Sequence, residues 1–475
     1  MNKLTRRLSP LLLALLLVAC STVPELKQPQ VDVPQAFKEV QAPDGTQWKP
    51  AQPAEAQARG QWWLAFDDQT LTSMIDEATR ANASLAVAAA RVKQARAIAG
   101  ITDAERGFQL GVGVGGQRGR PSAVSLGLPE GTPVAASTSY QAALTASYEV
   151  DLFGRLAAGS SASQADAQAS EATYKSVLLA LQADVAQTWF RLQAANAELA
   201  TLNRAVELRT QSVKVNQSRY DNGDIGEFDL ARARTELATA KAEAIGVQRK
   251  RTQNEHALAV LLGKPASSFT AEDKPLADAG LPSIPAGLPS KLLERRPDIT
   301  AAQRAMIASN ARIGVAKSAM FPVLALTGSG GGESASLSDV FKWSSRSWVV
   351  GALLSAPILD GGRNKANIAR SEAVLEESVA SYRQSVLVAF AEVEDNLAGL
   401  RILAGQAAQI DAAVVSARRS ADLAQKLYDA GRSSYLDLLD AQRNLSAVER
   451  NAVLLRGDRA VTTVALIRSL GGGWE

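Results

Sequence analysis

Tyr220-Asp221-Asn222-Gly223 recurs in this chain as Tyr428-Asp429-Ala430-Gly431, 208 positions on (428 − 220 = 208). At the same offset Asp229-Leu230 matches Asp437-Leu438, Leu237 matches Leu445, and Leu262-Gly263 matches Leu470-Gly471. Upstream, Gly154-Arg155 meets Gly362-Arg363, Tyr174 meets Tyr382 and Val185 meets Val393. An ungapped match over such a stretch implies two copies of fixed length, as paired long helices require, because loops would have gained or lost residues. The repeat is too long for a small-unit solenoid and reads as a duplicated half-protein.

Between the repeated strings the pattern is helical. No proline occurs from Gly159 to Lys264, nor from Asp360 to the end of the sequence. Tyr174, Val177, Leu178, Leu181, Val185, Trp189 and Leu192 recur at steps of three and four. Alanine fills much of the rest, which favours helix and close helix approach. A helix from Gly154 to Tyr220 would be about 100 Å long at the ordinary rise per residue. It must break at Asn222-Gly223, a pair that tolerates the left-handed conformation, and return from about Glu227 to Leu262. The second copy turns at Ala430-Gly431 and returns from about Tyr435 to Leu470. An earlier helix is predicted after Trp62-Trp63, from about Asp68 through Val92 toward Gly100.

After Gly100 the period changes to two. Phe108, Leu110, Val112 and Val114 alternate with Gln109, Gly111 and Gly113. Beyond a loop rich in Gly, Pro and Ser, Tyr140, Ala142, Leu144, Ala146, Tyr148 and Val150 alternate with polar or small residues. Such strands suit a membrane barrel with lipid outside and water inside, and tyrosines stand near both ends. A half-buried strand of a soluble sheet alternates in the same way. The second half carries an equivalent hairpin. Phe321, Val323, Ala325 and Thr327 lead into Gly330-Gly331-Gly332, and Trp348, Val350, Ala352, Leu354, Ala356 and Ile358 follow, alternating with Ser347, Gly351 and Ser355. Each strand is roughly long enough to cross a bilayer.

Lipid leaves no water for an open sheet edge, so membrane strands must close into a barrel. Four strands cannot close alone, since barrels begin at about eight. Three copies would supply twelve strands, and closed symmetric rings are the usual arrangement for homo-oligomers.

The N-terminus has the make-up of a processed segment. Lys3, Arg6 and Arg7 precede an apolar run, Leu11 to Val18, that is too short to span a bilayer. Leu17-Val18-Ala19-Cys20 resembles the bacterial lipobox, which implies cleavage of residues 1–19 and a thioether-linked diacylglycerol on Cys20. This cysteine is the only one among 475 residues, so it has no disulfide partner within the chain. Ser21, rather than aspartate, follows it, which by the sorting pattern implies the outer membrane. Residues 20–60, rich in Pro, Gln and Ala, read as an extended lipid-anchored arm. Loss of three basic residues from 51 leaves 48 against 48 acidic ones (51 − 3 = 48). That balance gives no electrostatic case for nucleic acid.

Together these strings resemble the outer-membrane factors of tripartite efflux pumps, the TolC-like lipoproteins of the NodT group, across essentially the whole mature chain. The markers are Trp62-Trp63 with Phe66, Tyr148-Glu149-Val150-Asp151-Leu152-Phe153-Gly154-Arg155, Glu294-Arg295-Arg296-Pro297-Asp298-Ile299, Tyr435-Leu436-Asp437-Leu438-Leu439-Asp440-Ala441-Gln442 and Leu470-Gly471-Gly472-Gly473-Trp474. Tyr148 stands where the family usually has tryptophan. The resemblance implies an α+β membrane protein, a homotrimer whose twelve-stranded outer-membrane β-barrel, four strands per chain, continues into a long periplasmic α-helical barrel. It also implies a periplasmic adaptor (membrane fusion protein), an inner-membrane RND-type transporter that supplies the energy, and passive conduction of drugs, solvents or other small toxic molecules. On this frame the first repeat covers 61–265, with its β-hairpin at about 108–151 and its helical hairpin at 154–263. A linker follows at 266–290, and the second repeat covers 291–475, with hairpins at about 321–358 and 362–470.

Two sets of residues are then candidates for function. The turns Gly223-Asp224-Ile225-Gly226 and Gly431-Arg432-Ser433-Ser434 lie at the far ends of the helices, positioned to meet an adaptor; Gly223 and Gly431 serve equally as helix terminators. The last turns before them carry Lys214, Arg219 and Asp221 in one copy and Arg418, Arg419 and Asp422 in the other. Asp422 is the candidate for a ring of carboxylates at a constriction, with Arg418 one turn above it; a solvated helix face would carry the same charges. No catalytic chemistry is expected. His256 is the single histidine, and Gly111-Val112-Gly113-Val114-Gly115-Gly116 lacks the lysine of a phosphate loop and opens no helix. No cofactor is expected beyond the lipid on Cys20. A protein-secretion duct, a metal-efflux channel and a non-conducting lipoprotein scaffold are the alternatives, and the strands argue against the scaffold.

Overall fold

The computed structural model describes residues 22–26, 29, 34, 37–39, 60–274, 276, 281–282, 284 and 295–472. Cys20, Glu294, Gly473-Trp474, most of the 20–60 arm and much of the 266–290 linker lie outside the described residues. After a short 3₁₀ turn at Trp62–Phe66 come α1 (Gln69–Ala81), α2 (Ala83–Ala104), β1 (Gln109–Gly119), β2 (Ser137–Val150), α3 (Arg155–Asp221) and α4 (Glu227–Leu261). The second half gives α5 (Pro297–Ser318), β3 (Val323–Ser334), β4 (Arg346–Ser355), α6 (Arg363–Asp429) and α7 (Tyr435–Ser469).

The long helices of the two copies match in length. α3 and α6 have 67 residues each, and α4 and α7 have 35 each. It also reaches further back than the sequence strings show. α2 and α5 both have 22 residues, at an offset of 214 rather than 208 (297 − 83 = 214). The missing six residues are lost between the strands, where the connection 120–136 is longer than the connection 335–345. The predicted first helix is in fact two. Asn82, with extended backbone at ψ 124°, ends α1, and its side chain accepts from the Leu85 N–H at 3.0 Å to start α2.

Contacts divide the chain into two compact units. One holds the sheet, with residues 1–29, 91–170 and 301–382; the other holds residues 30–90, 171–300 and 383–475. In the sheet unit the four strands form one antiparallel sheet in the order β1-β2-β3-β4, so the two hairpins join through β2 and β3. The Tyr148–Arg155 string has a local explanation. Glu149 takes both Nε and Nη2 of Arg155, at 2.9 and 2.7 Å. Asp151 accepts from the N–H groups of Leu156 and Ala157, satisfying otherwise orphaned donors of α3. Gly154, at φ 72°, makes the turn between them. The N-terminal segment is tied to this unit. Thr22 Oγ1 lies 3.0 and 2.9 Å from the carbonyl oxygens of Phe153 and Gly314, between which its single O–H is shared, and Asn310 Nδ2 donates to Pro24 O at 2.9 Å. A side chain at Gly314 would collide with Val23, whereas its repeat partner Gly100 faces open space.

In the second unit the core gathers around Trp189, Leu192, Leu71 and Ile75, all fully buried. Asp68 caps α1 through the Thr70 and Leu71 N–H groups and accepts Trp189 Nε1 at 2.8 Å. Burial pushes the Asp68 carboxyl up, but the bonds from Trp189 and the Leu71 N–H, with the Lys274 ammonium, outweigh it and hold the group below its ordinary range. Each repeat closes with the same joint. Asn82 Nδ2 donates to Leu261 O at 2.9 Å, and Arg296 Nη1 donates to Ser469 O at 3.1 Å. These are equivalent positions, 82 + 214 = 296 and 261 + 208 = 469. The Leu-Gly that ends each helical hairpin belongs to this joint. A Cβ on Gly263 would meet Ala81 O at 2.5 Å, and one on Gly471 would meet Arg295 O at 3.0 Å.

Candidate functional site: a two-faced sheet and two helical tips

Directly paired residues in an antiparallel sheet share a face, so the register sorts the strands. Val112, Leu144, Gly330 and Trp348 form one cross-sheet row; Leu110, Ala146, Gly328 and Val350 form the next; Tyr148, Leu326 and Ala352 extend it. Every member is apolar, glycine or aromatic. The opposite face reads Gly111, Thr145, Ser329 and Val349, then Gln109, Ser147, Thr327 and Gly351. Leu110, Val112 and Val114 on the apolar face are 80, 77 and 75% exposed. Phe108 stacks on Tyr148 at 4.5 Å between ring centroids, an aromatic pair at the helix-proximal end of that face. In β3 it is Leu324 and Leu326 that face the apolar side, while Val323, Ala325 and Thr327 take the other. β4 ends at Ser355, so Ala356 and Ile358 lie beyond it. Among the described residues β1 and β4 each pair on one side only.

The two tips share a backbone and differ in side chains. Gly223 at φ 79° and Gly431 at φ 68° end α3 and α6. The Asp224 N–H reaches Arg219 O, and the Arg432 N–H reaches Leu427 O, both at 2.8 Å. Such bonds, with the left-handed glycine, satisfy the last carbonyls of a helix. Gly226 and Ser434 then start α4 and α7 at nearly the same dihedrals, φ −78° with ψ 163° and 159°. Ser434 makes a capping box with Asp437, whereas Gly226 has no side chain to cap with. The Asp437 carboxyl is held low by the bonds from the Ser434 hydroxyl and N–H.

The charges near the tips pair locally. Asp422 lies between Arg419 at 3.4 Å and Lys426 at 3.1 Å, both on its own helix, and Arg418 reaches across to Glu449 on α7 at 2.7 Å. Arg418 and Asp422 therefore do not bond each other within one chain. Asp221 accepts from Gln217 at 2.8 Å, which accepts from Arg234; the second copy repeats this as Asp429, Gln425 and Gln442. Arg219 donates to the Tyr428 hydroxyl at 3.0 Å, joining the two copies.

Further joins between the copies escaped the sequence reading. Glu236 on α4 and Glu198 on α3 are buried acids, and both are held by arginines of α7. Arg443 Nε lies 2.8 Å from Glu236, and Arg450 Nε lies 2.6 Å from Glu198. Their only signal in the sequence is an acid on a helix face otherwise lined by Ala and Leu.

A duplicated chain with one four-stranded, two-faced sheet and long paired helices defines an outer-membrane channel subunit. The outer membrane efflux protein family matches residues 74–264 and 288–472, and this chain belongs to it. It is 34% identical to the solvent efflux pump outer membrane protein SrpC of Pseudomonas putida, over 98% of each chain. It is 33% identical to the cation efflux system protein CusC of an Escherichia coli O6:H1 strain, over 99% of each. The solved CmeC outer membrane channel of Campylobacter jejuni superposes with a TM-score of 0.90 at 26% identity, covering 96% of both chains.

Proposed function

We propose that three copies of this chain form a twelve-stranded barrel in the outer membrane that conducts small molecules outward, passively, from a periplasmic adaptor and an inner-membrane transporter of the RND type. The observation that carries this reading is the sheet. Its apolar face is exposed from edge to edge, and β1 and β4 each leave a row of backbone groups without a strand partner. In lipid those groups must pair, and strands from neighbouring copies are the available partners. The small and polar opposite face then lines a water-filled passage. Lipidation at Cys20 adds a second hold on the membrane.

The cargo does not follow from the conduit. Relatives named for solvent and for cation export stand at 34% and 33% identity. Substrate choice on this reading belongs to the transporter. Light scattering of protein extracted in mild detergent should give three chains per particle, and the same particle should conduct ions in planar bilayers. A stable monomer whose strands remain in the bilayer would remove the reading.

A further inference from the structure

The apolar face of the sheet has a notch at the end where the β3–β4 connection lies. There the middle strand β3 carries Gly330, Gly331 and Gly332, so the face sinks between Leu144 on β2 and Trp348 on β4. The β3–β4 connection folds down over the end of this trough, with Val340 buried. A side chain at Gly332 would collide with the Val340 carbonyl, which is why a glycine ends the run. The resulting groove has a volume of about 600 Å³ and is lined by Val112, Val114, Leu144, Phe341 and Trp348, with Lys342 and Arg346 also at its wall. Phe341 and Trp343 beside it are 83 and 77% exposed.

Two cations at one end of an apolar trough make a chemically specific surface. The Lys342 ammonium lies 2.7 Å from Asp339, and the Arg346 guanidinium sits over the Trp343 ring. Asp339 offsets one of the two charges, so these three groups leave the rim a net positive charge, and among the described residues no carboxylate pairs with the Arg346 fork. Planar guanidinium groups bind phosphate oxygens in a fork, and the aromatic rings beside them are of the kind that settles at the boundary between lipid and water. The trough itself takes hydrocarbon.

We infer that this notch binds a phosphorylated, multiply acylated glycolipid of the outer leaflet, with a phosphate on Arg346 and Lys342 and an acyl chain in the glycine trough. The inference rests on the outer-membrane reading above in one respect. Both strand connections lie at the strand ends opposite those that run on into α2, α3, α5 and α6, and they face outward only if the helix-joined ends face the periplasm. A soluble phosphate would need no trough. A glycerophospholipid has one phosphate and two chains and would fit the trough while engaging the rim less.

The test is native mass spectrometry of the purified oligomer titrated with a bis-phosphorylated, acylated glucosamine disaccharide (lipid A), with phosphatidylglycerol and inorganic phosphate as separate arms. Two variants change the notch independently. Lys342→Ala with Arg346→Ala removes the charges; Gly330→Leu fills the trough, where a Cβ meets only Trp348 Cβ at 4.0 Å. Both variants should remain oligomeric and conduct as the parent does, which separates this inference from the channel reading. Lipid A should bind the parent at least ten-fold tighter than phosphatidylglycerol, and each variant should lose at least ten-fold. Equal binding of the two lipids, binding of phosphate alone, or undiminished lipid A binding by either variant would overturn the proposal.

Discussion

Arg296 is the place where one substitution should loosen the most structure. Its side chain, 9% exposed, reaches Asp298 through two bonds at 3.1 and 2.7 Å, Glu392 on α6 at 2.6 Å, and Ser469 O at the end of α7 at 3.1 Å. Burial pulls the guanidinium pKa down, but the bonds and charges of Asp298 and Glu392 overcome this and leave it raised. Arg296→Ala removes the hub of three elements. Breaking a buried ion pair costs about 3–5 kcal/mol where the remaining charge stays dry. Asp298 and Glu392 are 39 and 48% exposed and can recover water, so most of that charge penalty is screened. What remains is the orphaned Ser469 carbonyl, at about 1–3 kcal/mol, and the packing of the arginine stem. The expected cost is therefore about 2–3 kcal/mol per chain. Arg296→Lys keeps the charge but not the fork and should fall between. The assay is loss of the detergent-stable oligomer on heating, read as a midpoint temperature by gel or light scattering, since a two-state free energy does not apply to such an assembly. The midpoints should order as parent above Arg296→Lys above Arg296→Ala. An Arg296→Ala oligomer that melts with the parent would refute the hub.

The same joint predicts a response to acid. Burial raises the Asp298 carboxyl, but the bonds and charge of Arg296 more than offset this and its pKa is lowered. Its contribution is thus present above the ordinary carboxylate pKa and lost as pH falls through the lower folded value; the midpoint should drop on acidification less steeply in Asp298→Asn than in the parent. Gly226→Trp should block export in cells while oligomers still form, because Gly226 has extended backbone and open space around it, so a bulky side chain meets only a docking partner; normal export would take this turn out of the interface. Arg418→Ala combined with Asp422→Ala frees Glu449, Arg419 and Lys426 together and should raise single-channel conductance and admit larger antibiotics, whereas unchanged conductance would place the gate elsewhere. Cys20→Ala with cleavage preserved should lose the acyl mass yet still assemble, and an unmodified Cys20 in the mature parent protein would end the lipidation proposal.

What the residues disclose in advance depends on how local their physics is. Gly223 and Gly431 mark their turns because only a left-handed residue ends such helices cheaply, and the period-two apolar runs mark strands because each side chain chooses a face alone. The break at Asn82 is only half local: its Oδ1 caps α2 at the Leu85 N–H, but its Nδ2 is satisfied by Leu261, 179 positions away. The earlier half of the duplication was hidden by its different offset, with Gly100 and Gly314 among the few matching residues. At the candidate gate the charges were visible but their partners were not. Arg418 chooses Glu449 on another helix, and Arg219 chooses a tyrosine of the other copy.

The matched lengths of α3 with α6 and of α4 with α7 carry a constraint on how this protein can change. A single residue inserted in one long helix turns every following side chain by about 100° and displaces its tip by about 1.5 Å. Its twin in the other repeat would no longer end level with it. To serve a cell envelope of another width, the helices must therefore grow together, by whole heptads of about 10 Å in each repeat, so that every face keeps its neighbour. Drift by small insertions is closed to this part of the gene, and the six-residue difference between the strand connections shows where such insertions are tolerated. Envelope spacing and coding length are thus bound to each other, and an engineered longer duct has to be written in matched blocks.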